Sequence, residues 1–190
     1  MSSLGPNNPG TMATASHGSS TNWTTPNNAK ASDSSYATAA WVVGSKPTYY
    51  LKATNFGFAI PAGATINGIV AEIQEKSSVD TTSDYCSESH VVIIKSDGTL
   101  GTTDKKVAGH ISVTESYVSH GGTTDLWDVV WTAEDINDVD FGFAFVGALT
   151  SVEDTVTVSV NHMRVTVYYT EAAGGGVPKH QDYYARMRQA

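Results

Sequence analysis

Residues 156–169 alternate apolar with polar side chains, and the alternation changes phase partway. Val156, Val158 and Val160 fall on even positions, whereas Met163, Val165, Val167 and Tyr169 fall on odd ones. Side chains of a strand point alternately to opposite faces, so residues on one buried face must share one parity. A bulge or break near Asn161 and His162 reconciles the two halves by inserting one extra residue. The chain is thereby committed to a long strand with one dry face, and to a second layer that covers it.

Other segments repeat the pattern. In residues 66–76, Ile69, Ala71 and Ile73 point one way while Glu72, Gln74 and Lys76 point the other, a strand with one wet face. Residues 49–58 read as a strand closed by the turn Pro61-Ala62-Gly63-Ala64. The run Val91-Val92-Ile93-Ile94, within 89–95, ends at the turn signal Asp97-Gly98. Residues 105–113 and 126–131 are further strand candidates, with loops expected over 77–87 and 114–125. Phe141, Phe143 and Phe145 alternate with Gly142, Ala144 and Val146. That stripe reads as a buried core face rather than a ligand-stacking ladder, because its neighbours are small and apolar. One helical turn is expected at Thr132-Ala133-Glu134-Asp135-Ile136, with Thr132 as its N-cap and acids in the first turn.

About eight short strands with turn signals and almost no helix predict an all-β, antiparallel β-sandwich of jelly-roll-like form. Val and Thr, whose β-branched side chains suit a pleated surface, are abundant, and only 16% of the residues are charged. The sandwich is expected over 36–170. Residues 1–35, rich in Ser, Thr, Asn, Gly and Pro, show neither strand nor helix periodicity and read as an extended N-terminal arm with Trp23 as its single large anchor. Residues 171–190 read as a Gly-rich linker and a basic C-terminal arm.

Chemical motifs are sparse. There is no phosphate-binding Gly-rich loop, no Gly-x-Ser-x-Gly elbow and no His-Glu-x-x-His. His90, His110 and His162 fall in expected strands, and His17, His120 and His180 in loops or tails. Carboxylates cluster at Asp135, Asp138 and Asp140 and at Asp80, Asp84 and Glu88, but neither set matches a twelve-residue calcium loop. No pair stands out as the two carboxyls of a glycosidase. Cys86 stands alone and reads as a small buried hydrophobe. The expectation is a protein with no catalytic residues, no metal and no cofactor, and not an enzyme. The first six residues lack the pattern of a secretory signal, and no apolar run approaches the length of a membrane span, so no membrane partner is expected.

Charge is unevenly placed. Residues 177–190 hold Lys179, Arg186 and Arg188 against Asp182, which leaves about +2 there and about −10 on the first 176 residues of a chain whose net is −8. The acidic body would repel phosphate backbones, so nucleic acid is not expected as a partner. Tyr183 and Tyr184 sit beside Arg186 and Arg188, beyond the sandwich, and aromatic and Arg side chains are typical interface anchors. With Trp23, these four are the candidate partner-binding residues of the arms. Tyr36, Trp41, Tyr49, Tyr50, Tyr85, Tyr117 and Trp127 divide between core packing and exposed aromatics fit for sugars or proteins.

Two stretches carry a resemblance. One is Tyr50-Leu51-Lys52-Ala53-Thr54-Asn55-Phe56-Gly57-Phe58-Ala59-Ile60-Pro61-Ala62-Gly63-Ala64-Thr65-Ile66-Asn67-Gly68-Ile69. The other runs from Gly121-Gly122-Thr123-Thr124-Asp125-Leu126-Trp127 through Trp131-Thr132-Ala133-Glu134-Asp135-Ile136-Asn137 to Phe141-Gly142. With the closing Val165-Thr166-Val167-Tyr168-Tyr169-Thr170, they resemble a β-sandwich module recurrent among tailed-bacteriophage virion proteins, over roughly residues 22–170. The resemblance implies a virion part: a head decoration (cement) protein bound to the major capsid protein and to its own copies as a trimer, on the outer capsid surface. It also implies, as the alternative, a tail-fibre or receptor-binding module that takes a glycan. No catalytic residues carry over from it.

Overall fold

The computed structural model describes residues 1–172. Eleven strands divide between two antiparallel sheets: β1 (Ser2–Asn7), β2 (Thr11–Ala15), β3 (Ala37–Trp41), β4 (Gly44–Pro47), β5 (Tyr50–Thr54), β6 (Thr65–Ser77), β7 (Tyr85–Ile94), β8 (Leu100–Asp104), β9 (Ser116–Gly122), β10 (Gly142–Ser151) and β11 (Val156–Thr170). Helix is confined to a 3₁₀ turn at Pro26–Ala29 and one α-helical turn, α1 (Ala133–Asn137), among the described residues. The first sheet runs β1-β11-β6-β9, with β3 beside β1 on the other half of β11; the second runs β2-β5-β10-β7-β8, with β4 also on β10. The protein is an all-β sandwich.

The phase change in β11 is a bulge. Val160 stands opposite Glu75 and His162 opposite Gln74, so Asn161 is the extra residue. Val156, Val158, Val160, Met163, Val165 and Val167 are all fully buried on the inner face. They meet Leu51 and Ala53 of β5, Val91 and Ile93 of β7 and the stripe Phe141, Phe143 and Phe145 in one core. Val92 and Ile94 of β7 face the other way, onto Ala144, Tyr50 and Leu100. A central strand buried on both faces has no wet side, which is why four consecutive apolar residues occur there. Gly142 is fixed by backbone approach, because a Cβ there would lie 1.9 Å from the Ala53 carbonyl oxygen.

Residues 1–35 are not an arm. β1 pairs with β11 in the first sheet, Ser2 opposite Tyr169, and β2 pairs with β5 in the second, Met12 opposite Ala53. Trp23 is 4% exposed, packs on Phe145 and donates its indole N–H to the Tyr49 carbonyl at 2.8 Å. The segment has a polar composition because edge strands are held by ladder hydrogen bonds while both faces stay partly wet. The bulge ties the same segment down: Asn161 Oδ1 accepts from the Asp33 and Ser34 backbone N–H groups, and its Nδ2 donates to Glu115.

Three local expectations also change. Residues 105–113 form a loop rather than a strand, and β9 lies where a loop was expected. Residues 126–131 form no strand, since Trp127 and Asp128 adopt left-handed φ values of 58° and 55°. The Trp127 indole is fully buried there and donates to the Ile69 carbonyl at 3.1 Å. Gly121, at φ +79°, makes room for that ring, because a Cβ would sit 2.6 Å from its Nε1. The helical turn forms as expected, with Thr132 and Asp135 closing a reciprocal capping box.

Candidate functional site: a buried carboxyl pair at a small cavity

The inner face of β6 continues past Ile69, Ala71 and Ile73 to Glu75 and Ser77, both buried. Opposite, β7 turns Cys86 and Glu88 inward, and its register against β10 slips between His90 and Glu88, so that Val91 and Ile93 take over the interior. β9 adds His120, opposite Ala71 of β6 and therefore on the same inner face. Three titratable side chains from three strands and both sheets thus meet inside the sandwich.

Glu75 is 3% exposed and His120 2%. Burial, followed by the charge of Glu88 and a hydrogen bond with it, holds the Glu75 carboxyl well above the usual carboxylate range. Glu75 therefore holds its proton to a higher pH than an exposed carboxyl does. Glu88 Oε2 accepts the Val107 backbone N–H at 2.5 Å, and Glu88 Oε1 lies 3.3 Å from His120 Nε2. His120 Nδ1 is 3.0 Å from the Lys105 carbonyl oxygen, an acceptor only, so that nitrogen carries a hydrogen. Glu75 Oε2, Glu88 Oε1 and His120 Nε2 have no hydrogen-bond partner among the described residues. The two carboxyls border a cavity of about 140 Å³ walled by Val107, His110, Ile111, Ser112, Ser116 and Val118. Cys86, beside them, is pushed up to about 11 by burial.

Glu75 and Glu88 are thus two carboxyls whose charges bear on one another inside the sandwich. What they can do is hold a proton, or a cation in its place.

A second polar network lies on the outer face of the first sheet. Arg164 binds Glu72 through two bonds of 2.9 Å and stacks its guanidinium 3.8 Å above the Tyr117 ring. Tyr117 donates to His162 Nδ1 at 2.8 Å, and His162 Nε2 donates to Asn8 Oδ1 at 2.9 Å. Burial, with Arg164 nearby, lowers the His162 pKa. Every member is partnered, and the chain of bonds ends on the N-terminal segment, so this network fastens structure.

The residues singled out from sequence scatter. Trp23 belongs to the core. Tyr183, Tyr184, Arg186 and Arg188 lie outside the described residues. The acidic cluster of Asp80, Asp84 and Glu88 divides. Glu88 turns inward, Asp80 binds His110 Nδ1 at 2.7 Å, and Asp84 accepts the Val152 N–H at 2.8 Å. Asp135 caps α1, and Asp138 accepts the Asp140 N–H at 2.8 Å. Among the described residues no group of three His, Cys, Asp or Glu side chains is placed to hold a metal ion, and no helix is long and apolar enough to cross a membrane. Of the aromatics, Trp127 is core, Tyr85 is stacked on His110 at 3.8 Å, and Tyr117 is engaged by Arg164. The site that sequence reasoning missed left one signal: Glu75 and Ser77 share the parity of Ile69, Ala71 and Ile73.

Comparison with protein-family models, with curated proteins and with solved structures found no match.

Proposed function

We propose that the chain is a structural protein of a tailed-bacteriophage virion, a head decoration protein that cements neighbouring capsid subunits on the outer surface. The observation that carries this reading is the loop 125–131. Two consecutive left-handed residues, Trp127 and Asp128, cost on the order of 1–3 kcal/mol each. The buried Trp127 indole fixes the loop from below, and Val130 stands at its tip 91% exposed. Shallow depressions flank it, bordered by Lys105, Thr124 and Asp128 on one side and by Lys95, Ser96 and Asp97 on the other. A strained, anchored loop that displays an apolar side chain suits a contact made with another protein. The sequence resemblance points the same way, and the basic segment after β11 offers a second contact, through Tyr183, Tyr184, Arg186 and Arg188, to acidic surface on a neighbour.

Cementing works by adding buried area across subunit joints, so that opening the shell also breaks those contacts. The partners on this reading are the major capsid protein and further copies of the chain, arranged as a closed trimer. The test is the copy number per purified particle, by quantitative mass spectrometry against the major capsid protein. Hundreds of copies are expected; a few to a few tens would instead assign the chain to the tail, where a glycan array tests the receptor-binding alternative. Val130→Glu should then reduce occupancy on the shell without altering the isolated protein's stability, and retention of full occupancy would remove the loop from the interface.

A further inference from the structure

We infer that the apolar groove on either side of Val129 and Val130 is the docking site of the chain's own residues 177–190, the basic segment that follows β11. This concerns the free chain; it goes beyond the virion role and does not rest on it. Val129 and Val130 line both hollows beside the loop 125–131, joined by Leu126 in one and by Trp131 in the other. Val130 is 91% exposed over the described residues, none of which covers it. Exposed apolar surface with a polar rim is the mark of a contact that another segment completes.

The rim selects the occupant by charge. Asp97, Asp125, Asp128 and Asp135 line the hollows against Lys95 and Lys105. Both lysines are already engaged, Lys95 with Asp97 at 3.8 Å and Lys105 with Asp125 at 2.8 Å. Exposed Glu134, Asp138 and Asp140 extend the acidic border along α1 and the turn after it. An acidic peptide or a phosphate would be repelled there. Residues 177–190 instead hold Lys179, Arg186 and Arg188 against Asp182, with Tyr183 and Tyr184 beside the arginines. One segment thus supplies cations for the rim and rings for the apolar hollows.

The segment also departs from the right end of the sandwich. β11 ends at Thr170, opposite Thr65 of β6, and further along β6 the Ile69 N–H donates to the Asp125 carbonyl at 2.9 Å. A Cβ on Gly63 would lie 3.6 Å from that of Ala172, which places the last described residue beside the turn 61–64. Ile60, before that turn, exchanges hydrogen bonds of 2.7 and 2.9 Å with Asn137 of α1. The exit of the chain, α1 and the loop 125–131 therefore share one end. Neighbouring strands are about 4.8 Å apart, so the loop lies about 10 Å to the side of β11. Residues 171–176 span up to about 20 Å, enough to reach it. So short a spacer holds the segment at its own groove at an effective concentration of about millimolar, which a second copy matches only at millimolar protein.

The full chain is made as Ala185→Cys and a nitroxide is attached there, Cys86 being fully buried. With ¹⁵N in the same chain, the expected result is paramagnetic broadening of the Val129, Val130 and Asp97 amides. Val43 and Val152, at the opposite end where Gly44 pairs with Ser151, should stay sharp. Adding Arg186→Glu and Arg188→Glu should remove most of the broadening, and so should salt at about 1 M, where the Debye length is about 3 Å. Sharp loop amides in the parent chain would overturn the assignment. So would broadening undiminished by charge reversal, since tethering alone would then account for it. A mixture of nitroxide-bearing chains without ¹⁵N and ¹⁵N chains without nitroxide, about tenfold below millimolar, should show no broadening. Broadening in that mixture would overturn docking within one chain and give the groove to the segment of a second copy.

Discussion

Replacing Trp23 separates a core residue from an arm residue. Its side chain is 96% removed from solvent, lies against the Phe145 ring at 5.8 Å between centroids, and makes one hydrogen bond, to the Tyr49 carbonyl. That carbonyl also accepts the Thr48 hydroxyl at 2.8 Å, so losing the indole does not leave it unpaired. Trp23→Ala therefore costs the transfer and cavity terms alone, about 3–5 kcal/mol. Trp23→Phe keeps most of the ring contact and loses one neutral hydrogen bond, so it costs about 1–2 kcal/mol. A single domain of this size has about 5–15 kcal/mol of stability in all, so the alanine variant should remain folded but lose about 6–20 °C of melting temperature. Urea unfolding is the assay: the midpoint should fall in the order wild type, Phe, Ala, with the slope m unchanged. If Trp23→Ala unfolds within 1 kcal/mol of the parent, residues 1–35 do not belong to the folded unit and the account of both sheets is wrong.

The remaining expectations concern the buried carboxyl, the bulge and one close backbone contact. Glu75 holds its proton more tightly when folded than its ordinary 4.5. Stability should therefore be fully present below pH 4.5 and decline by about 1.4 kcal/mol per pH unit until the folded pKa is passed. Glu75→Gln should remove that decline, and parallel pH–stability curves for the two proteins would contradict the raised pKa of the buried Glu75 carboxyl. Deleting Asn161 moves Met163, Val165, Val167 and Tyr169 to the outer face and should abolish the native fold, seen as loss of near-ultraviolet dichroism. Asn161→Ala keeps the bulge and should cost only about 1–3 kcal/mol from the Asp33 and Ser34 N–H groups that it leaves unpaired. Gly142→Ala drives a methyl into the Ala53 carbonyl and should cost about 1–3 kcal/mol or more; a silent Gly142→Ala in calorimetry would refute the register of β5 on β10.

What the sequence disclosed depended on burial. β11, β6 and the Phe141-Phe143-Phe145 stripe have one or both faces in the core, and so their parity is written in apolar residues. The bulge at Asn161 was legible for the same reason, because both sides of it are buried. The N-terminal strands were not, since β1 and β2 contribute backbone hydrogen bonds at sheet edges and need little apolar alternation. Residues 126–131 misled because Leu126, Trp127, Val129, Val130 and Trp131 are apolar in a run, yet left-handed Trp127 and Asp128 turn their side chains in different directions. The carboxyl pair was hidden by distance. Glu75, Glu88 and His120 are far apart in sequence and meet only when β7 of one sheet covers β6 and β9 of the other. Their polarity also breaks the apolar pattern that would have assigned them inward.

The pairing of β1 with β11 sets a schedule for synthesis. β1 finds its neighbour only when β11 has left the ribosome. At about 5–20 residues per second that leaves roughly 8–35 s in which β1 has no partner in its own chain. An apolar strand waiting that long would join the edge of a nascent neighbour, since any open ladder is a template. The segment Ser2-Ser3-Leu4-Gly5-Pro6-Asn7 is poorly suited to such capture, because its proline cannot donate and its other side chains, Leu4 apart, are small or polar. The plain composition of β1 thus guards a growing chain until β11 arrives to cover it.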